Sequence, residues 1–378
     1  MGDYAGFELG PIRPPSEAGS LLLRLTRNCP WNRCTFCSVY KKHPFSLRPA
    51  TDVIQDIDTL ARFIDLLQNS PDTAGVNLQD LSPGEEQAYY SARNWLQGGM
   101  ESVFLQDADS LVMKPDQVIA VLTHLRDCFP EIKRITSYAR SATIARISED
   151  HLQQMAAAGL NRIHIGMETA SDKLLQMIKK GVSKAQQIEA GIKTRQAGIE
   201  LSEYVLTGIG GREFSREHAL ETADALNQIN PDFIRFRTLR IPDRNDLFAG
   251  AEDCHWQRPT DLVQVEEILL LIQNLDNLSS QIKSDHMFNL LQEIDGTLPQ
   301  DKERLVAVLQ KFINLPPQER ACFQVGKRTG HFLNLSDMQI PSRLAQVEEI
   351  CRQQDITPEN VDAKLNAMIQ EQMRRGMF

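Results

Sequence analysis

Three cysteines stand within nine residues, Cys29-Pro-Trp-Asn-Arg-Cys34-Thr-Phe-Cys37, directly after the apolar run Ser20-Leu-Leu-Leu-Arg-Leu-Thr26. The whole chain has only seven cysteines. Thiolates this close together make a soft-metal site, and loops of this kind hold iron–sulfur clusters. Three ligands leave one iron of a four-iron cubane without a protein ligand, open to a substrate.

Two other chemistries fit the same residues. The Cys-x4-Cys-x2-Cys spacing suits a plant-type 2Fe–2S centre, which needs a fourth cysteine; the next in the chain is Cys128. Zinc is the other, with His43 as fourth ligand after Cys37. A cluster- or metal-carrying module without turnover is the corresponding non-enzymatic function.

A loop needs a scaffold. Strand candidates lie at Leu21–Thr26, Ser102–Gln106, Arg134–Tyr138, Arg162–Met167, Glu203–Thr207 and Phe233–Leu239. Helix-period segments near 51–68, 115–128, 148–158, 172–197 and 215–228 separate them, and Gly159, Gly198 and Asn230-Pro231 punctuate helix ends. Six strand–helix alternations predict an α/β fold with parallel strands. Six units are fewer than the eight of a closed barrel, so the expected form is a partial (β/α)6 TIM-like barrel with its site at the C-terminal strand ends. The cysteine loop leaves the first strand at that edge.

Three regions flank or interrupt this pattern. Residues 1–19 read as an extended leader. Residues 71–99 break the rhythm around a short helix at Glu85–Leu96 and read as an insertion in the first crossover. From 243 to 378 strand signals stop, and amphipathic helices are expected at 260–282, 300–313, 316–328, 341–353 and 358–374. The barrel itself is expected to span 20–242.

Over residues 20–240 the chain resembles the radical S-adenosylmethionine (radical SAM) superfamily. The resemblance rests on Cys29, Cys34 and Cys37, on Phe36 before the last cysteine, and on the later strand ends. The family's usual spacing is Cys-x3-Cys-x2-Cys; here the first gap holds one residue more. The resemblance implies a 4Fe–4S cluster and S-adenosylmethionine (SAM) as cofactors, reductive cleavage of SAM, oxygen sensitivity, and hydrogen abstraction from an unidentified small-molecule or peptide substrate. It also implies a reducing donor of flavodoxin or ferredoxin type.

It points to SAM contacts at several strand ends. Strand two ends in Gln106, Asp107 and Asp109, which supply acceptors where the family often has Gly-Gly-Glu; an Asp-Ser turn is the plainer reading. After strand three come Tyr138 and Arg140, the latter suited to a carboxylate or to a surface ion pair. Strand four ends Gly166-Met-Glu168-Thr-Ala-Ser171, with Glu168 as a SAM partner and Ser171 as partner or helix cap. His164 reads as a structural histidine. Strand five leads into Thr207-Gly208, where glycine lets the backbone approach a ligand. Arg237 and Leu239 end strand six near the expected adenine edge. For catalysis the sequence offers Tyr138 and, beside Asp285, His286.

The remaining cysteines, Cys128, Cys254, Cys322 and Cys351, are scattered, which argues against a second cluster of methylthiotransferase or maturase kind. What remains resembles the single-domain relatives of the cobalamin-associated and oxygen-independent coproporphyrinogen oxidase-like groups. The net charge of -9 disfavours a nucleic-acid partner. No apolar run reaches the roughly 20 residues of a membrane span, and the expectation is a cytoplasmic protein.

Overall fold

Ser102-Val-Phe-Leu-Gln106 combines β-branched, aromatic and aliphatic residues, and Val103, Phe104 and Leu105 are wholly buried in a strand. A parallel strand covered on both faces reads as a continuous apolar run of this kind. In the computed structural model, which describes residues 4–69, 77–241, 247–248 and 255–374, this strand is β2. Its neighbours are β1 (Leu21–Arg24) and β3 (Arg134–Ala139), both parallel to it, with Leu23 opposite Leu105 and Arg24 opposite Gln106. On the far side of β3 lies β4 (Leu160–Glu168), also parallel.

The chain forms two compact units, Met1–Gly166 with Ala185–Ser202, and Met167–Lys184 with Glu203–Phe378. In the first, the strands alternate with α1 (Ala50–Asn69), α2 (Pro83–Gln97), α3 (Pro115–Cys128) and α4 (Glu149–Ala157). Helix α3 starts at a proline, which loses no helical hydrogen bond at that position. It buries Val118, Val121, Leu122 and Leu125 along one face. Helix α2 belongs to the irregular 71–99 segment, of which 71–76 lie outside the described residues. It opens on a reciprocal Ser82–Glu85 capping box. Tyr89 packs edge-on to Phe63 of α1, and Trp95 Nε1 donates to Ser102 O of β2 at 2.9 Å. This helix is part of the packed layer behind the sheet.

Across residues 172–197 the sequence suggests one helix, but two form: α5 (Asp172–Met177) and α6 (Lys184–Gln196). Lys179 and Gly181 between them take positive φ, which a helix cannot continue through.

The second unit holds most of β5 (Glu200–Thr207, from Glu203 on), β6 (Phe233–Thr238), α7 (Ser215–Ile229) and α8 (Asp261–Gln273). Asn230, at φ 48°, ends α7 in the left-handed conformation asparagine tolerates. Then follow α9 (Lys302–Ile313), α10 (Pro317–Arg328), α11 (Pro341–Gln353) and α12 (Val361–Arg374). The sequence extends helix to 282, but α8 stops at Gln273. A short strand β7 (Gln281–Lys283) pairs parallel to β6, and β8 (Gly296–Thr297) pairs antiparallel to β7. Strands this short carry too few residues for an alternation to show. With β1 to β6 alternating with helices, the fold class is the α/β, TIM-like one expected, followed by a mainly helical C-terminal region; 242–246 and 249–254, including Cys254, lie outside the described residues.

Candidate metal centre and strand ends

Beyond β1, Leu25 donates its N–H to Gln106 O at 2.8 Å. Thr26–Arg27 pairs antiparallel with Ser46–Leu47, closing the neck of the cysteine loop. Inside, Asn28 and Asn32 adopt positive φ, 69° and 46°. Asn28 Nδ2 donates to Pro44 O and Asn32 Nδ2 to Tyr40 O, each at 2.6 Å. Lys41 Nζ donates to Asn32 O at 2.9 Å. These bonds fold the loop without regular structure. Cys29, Cys34 and Cys37 are half-buried and in no disulfide, and the Asn32 N–H points at Cys29 Sγ, 3.4 Å away. Phe36 is half-buried among them in sequence.

Asp107 anchors this loop. It is wholly buried, and Oδ2 accepts from Arg24 Nη2 at 2.8 Å, Arg24 Nε at 3.0 Å and Asn28 N at 3.2 Å. Its Oδ1 accepts from the Tyr40 hydroxyl at 2.8 Å. One carboxylate thereby grips both ends of the loop. Burial, then the Asp107 charge, raises the Tyr40 pKa, so its hydroxyl stays a donor. Gly10 passes so close that a Cβ there would lie 2.7 Å from Asp107 Oδ1. The neighbouring Gln106 is spent on the leader: its Oε1 accepts from Gly10 N at 2.9 Å, and its Nε2 donates to Ile12 O at 2.9 Å. Glu8 pairs with Arg24, Arg27 and Arg48.

Asp109 is also internal. Thr143 Oγ1 donates to its Oδ2 at 2.6 Å, and Arg140 N to its Oδ1 at 3.4 Å. Burial pushes its pKa up to about 6. So fixed, Arg140 sets its guanidinium 5.1 Å from the Trp31 ring centre, while Arg33 stands 5.0 Å from the same centre. Trp31 belongs to the four-residue gap between Cys29 and Cys34, and two cations flank it. Tyr138 meets Phe104 edge-on at 5.1 Å and tilts against His164 at 5.8 Å. His164 is buried with its Nε2 3.7 Å from Glu17 Oε1.

In the second unit Glu168 takes φ 65° and accepts from Lys180 Nζ at 3.0 Å. Glu203 lies close to this pair and is buried; burial holds its carboxyl well above the usual range, Lys180 opposing and Glu168 adding to the shift. Ser171 is a helix cap: its Oγ accepts from Leu174 N at 3.2 Å and donates to Glu217 Oε1 at 2.5 Å. Thr207 Oγ1 donates to Arg237 O at 3.3 Å, and Leu239 N donates to Thr207 O at 3.0 Å.

At Gly208, φ 83°, a Cβ would sit 3.1 Å from Pro259 Cγ. Its N–H donates to Glu267 Oε1 at 2.8 Å, and Ser215 Oγ donates to Oε2 at 2.7 Å. Burial pushes Glu267 up to about 7. Glu267 escapes a reading of the sequence because it sits in the apolar-looking Val265-Glu-Glu-Ile-Leu-Leu-Leu run, where a carboxylate at buried spacing is the only cue. Arg237 lies 4.8 Å from the Tyr204 ring centre, and its Nη1 is 3.8 Å from Asp285 Oδ1. Asp285 pairs more tightly with Arg235, at 2.7 Å. Next to it, burial and then Arg237 lower the His286 pKa to about 4.

A four-iron cluster fits this donor set: three cysteine sulfurs, none in a disulfide, on one pinned loop, with a backbone N–H directed at one of them. Of the other fourth-ligand candidates, His43 borders the loop itself, with its carbonyl 3.5 Å from Asn32 Nδ2. His43 is exposed on a turn, and Cys128 lies at the end of α3 beside His124. The family profile described as the radical SAM superfamily matches residues 23–226. The chain therefore belongs to the radical SAM superfamily, whose members use a 4Fe–4S cluster and SAM. No curated protein sequence matches it. Among solved structures it is similar to coproporphyrinogen III oxidase (HemN) from Escherichia coli, at 15% identity and TM-score 0.44 over 68% of this chain and 52% of that one. It is similar too to methylornithine synthase (PylB), at 14% and 0.42 over 76% and 68%. For the methyltransferase TsrM from Kitasatospora setae the values are 16% and 0.41, over 59% of this chain and 35% of that one. This chain thus spans about a third of TsrM and half of HemN, and likenesses of this strength carry no functional argument.

Proposed function

We propose that this chain is an enzyme that cleaves SAM reductively and turns the resulting radical on a substrate. The observation that carries this reading is the Cys29, Cys34 and Cys37 loop, tied at both ends to Asp107 within a matched radical SAM domain. The cluster, when bound, supplies the electron that splits SAM into methionine and a 5′-deoxyadenosyl radical, which takes a hydrogen atom from the substrate.

The protein's own part is to hold and to shield. Cys29, Cys34 and Cys37 hold the iron. Asp107 and Gln106 position the loop and the leader, and Asp109 positions Arg140, so these three carry their place in the SAM site through others. Phe36 is assigned to the wall beside the cluster. Arg140 and Glu168 are assigned to the charged groups and hydroxyls of SAM, with Lys180 paired to Glu168 at 3.0 Å. Thr207, Gly208, Arg237 and Leu239 are assigned to the adenine end, with Glu267 fixing the Gly208 turn. Ser171 supports Glu168 from its cap. Tyr138, packed against Phe104 and His164, and His286, a neutral imidazole near pH 7, are assigned as the candidates for a catalytic role.

The barrel is assigned to 20–242 and the helical region to 243–378, with 1–19 as leader and 71–99 as insertion. Among the described residues no helix is long and apolar enough to cross a membrane. Superfamily members need a substrate and a source of electrons. We assign the donor to the flavodoxin or ferredoxin class, the substrate to a small molecule or peptide rather than a nucleic acid, and the location to the cytoplasm.

Anaerobic reconstitution with iron and sulfide, then dithionite and SAM, tests the reading. The expected product is 5′-deoxyadenosine. A fully loaded cluster that leaves SAM intact, or a loop that takes up zinc alone, overturns it.

A further inference from the structure

Behind the sheet of the first unit, three side chains with metal-ligand chemistry meet across two helices. His124 and Cys128 stand four residues apart on α3, so they share one face. Asp58 of α1, which packs alongside, sets its Oδ1 2.7 Å from His124 Nε2. Cys128 Sγ lies 3.6 Å from the same nitrogen, and the three ligand atoms all fall within 4.8 Å of one another.

We propose that Asp58, His124 and Cys128 form a mononuclear binding site for zinc, separate from the cysteine loop. Zinc–sulfur and zinc–nitrogen bonds of ~2.3 and ~2.05 Å at a tetrahedral angle put sulfur and nitrogen about 3.5 Å apart. The 3.6 Å found between Cys128 and His124 already matches that edge. The carboxylate must move outward by roughly half an ångström to make room for the ion. Asp58 is more than half exposed, so its side chain has that freedom. A thiolate, an imidazole and one carboxylate form a soft-to-borderline set, which selects zinc or cobalt over magnesium and calcium.

A surface His–Asp pair alone accounts for two of the groups and leaves the thiol unexplained. Burial, then the charges of Asp58 and Asp127, raises the Cys128 pKa, so a bound cation must displace the thiol proton. Binding exchanges protons in a defined way. Cys128 gives up its S–H proton to solvent, and His124 binds through the Nε2 lone pair with its remaining proton on Nδ1. The fourth position is left to water. An ion there staples α1 to α3, the helices that back β1 and β2.

The test uses cluster-loaded protein under anaerobic conditions, titrated with cobalt(II) and then zinc. The expected result is one equivalent of cobalt bound with a thiolate-to-cobalt charge-transfer band, displaced by zinc with the iron content unchanged. Cys128→Ser removes the band, and Cys128→Ser and His124→Ala each weaken cobalt binding roughly tenfold or more, while iron content and SAM cleavage stay at the parent level. Absence of a thiolate band in the parent protein overturns the proposal. So does a band that survives Cys128→Ser in cluster-loaded protein, which puts the metal at other thiols.

Discussion

The Tyr40 hydroxyl donates to Asp107 Oδ1 at 2.8 Å, while Asp107 Oδ2 receives the backbone N–H of Asn28 at 3.2 Å. The two bonds bracket all three cysteines. Asp107→Asn removes the charge that answers Arg24 and replaces one acceptor oxygen by a donor. Breaking a buried pair costs about 3 kcal/mol. Urea unfolding of the variant should show a loss of that order, and reconstitution should give fewer irons per chain. Tyr40→Phe is the milder probe, costing about 1 kcal/mol for a single bond.

Trp31 occupies the longer first gap of the cysteine loop, between Arg33 and Arg140. Each such contact contributes roughly 0.5–1 kcal/mol at a part-exposed site. Trp31→Ala should therefore loosen the loop without unfolding the unit. The readout is the rate at which a chelator strips iron from loaded protein, which rises; an unchanged rate assigns Trp31 no part in retention.

Asp109 makes stability depend on pH. Its folded pKa of about 6 lies above the ordinary 3.8 because it is buried. A carboxyl raised in this way stabilises the fold in its protonated form, fully below the unfolded value, and that contribution is lost as pH rises through the folded one. Asp109→Asn still accepts from Thr143 and cannot ionise. Relative to the parent, it should gain about 1 to 2 kcal/mol between pH 5 and pH 8 in urea unfolding. A parallel pH profile for the two proteins contradicts this.

The proposed division of labour separates iron from SAM. Cys34→Ala should lose the cluster and 5′-deoxyadenosine formation together. Glu168→Ala should keep the iron and weaken SAM binding by roughly tenfold or more, the worth of a charged hydrogen bond. Calorimetry on loaded protein reads the second effect; unchanged affinity removes Glu168 from the SAM site.

Local patterns were legible wherever the chain's own chemistry dictates structure. Pro115 starts α3 and the apolar period carries it to Cys128; Ser102–Gln106 forms β2 at the expected bounds. The thiol loop pointed to the family for the same reason, since its ligands are neighbours in sequence. What failed to show were partnerships closed by folding. Asp107 reads as a cofactor contact until its partners appear, and these lie 67, 79 and 83 residues away at Tyr40, Asn28 and Arg24. Glu267 holds Gly208 from 59 residues downstream. Tyr138 reads as a flank of the site, and its ring contacts with Phe104 and His164 appear only on folding. Lys180 as the counter-charge of Glu168 was hidden behind a helix break the apolar pattern ran through.

Asn28, Asn32 and Tyr40 fasten the ligand segment with polar bonds of its own, so its shape owes little to regular secondary structure. A segment restrained by such bonds surrenders less conformational freedom on binding than an unrestrained one.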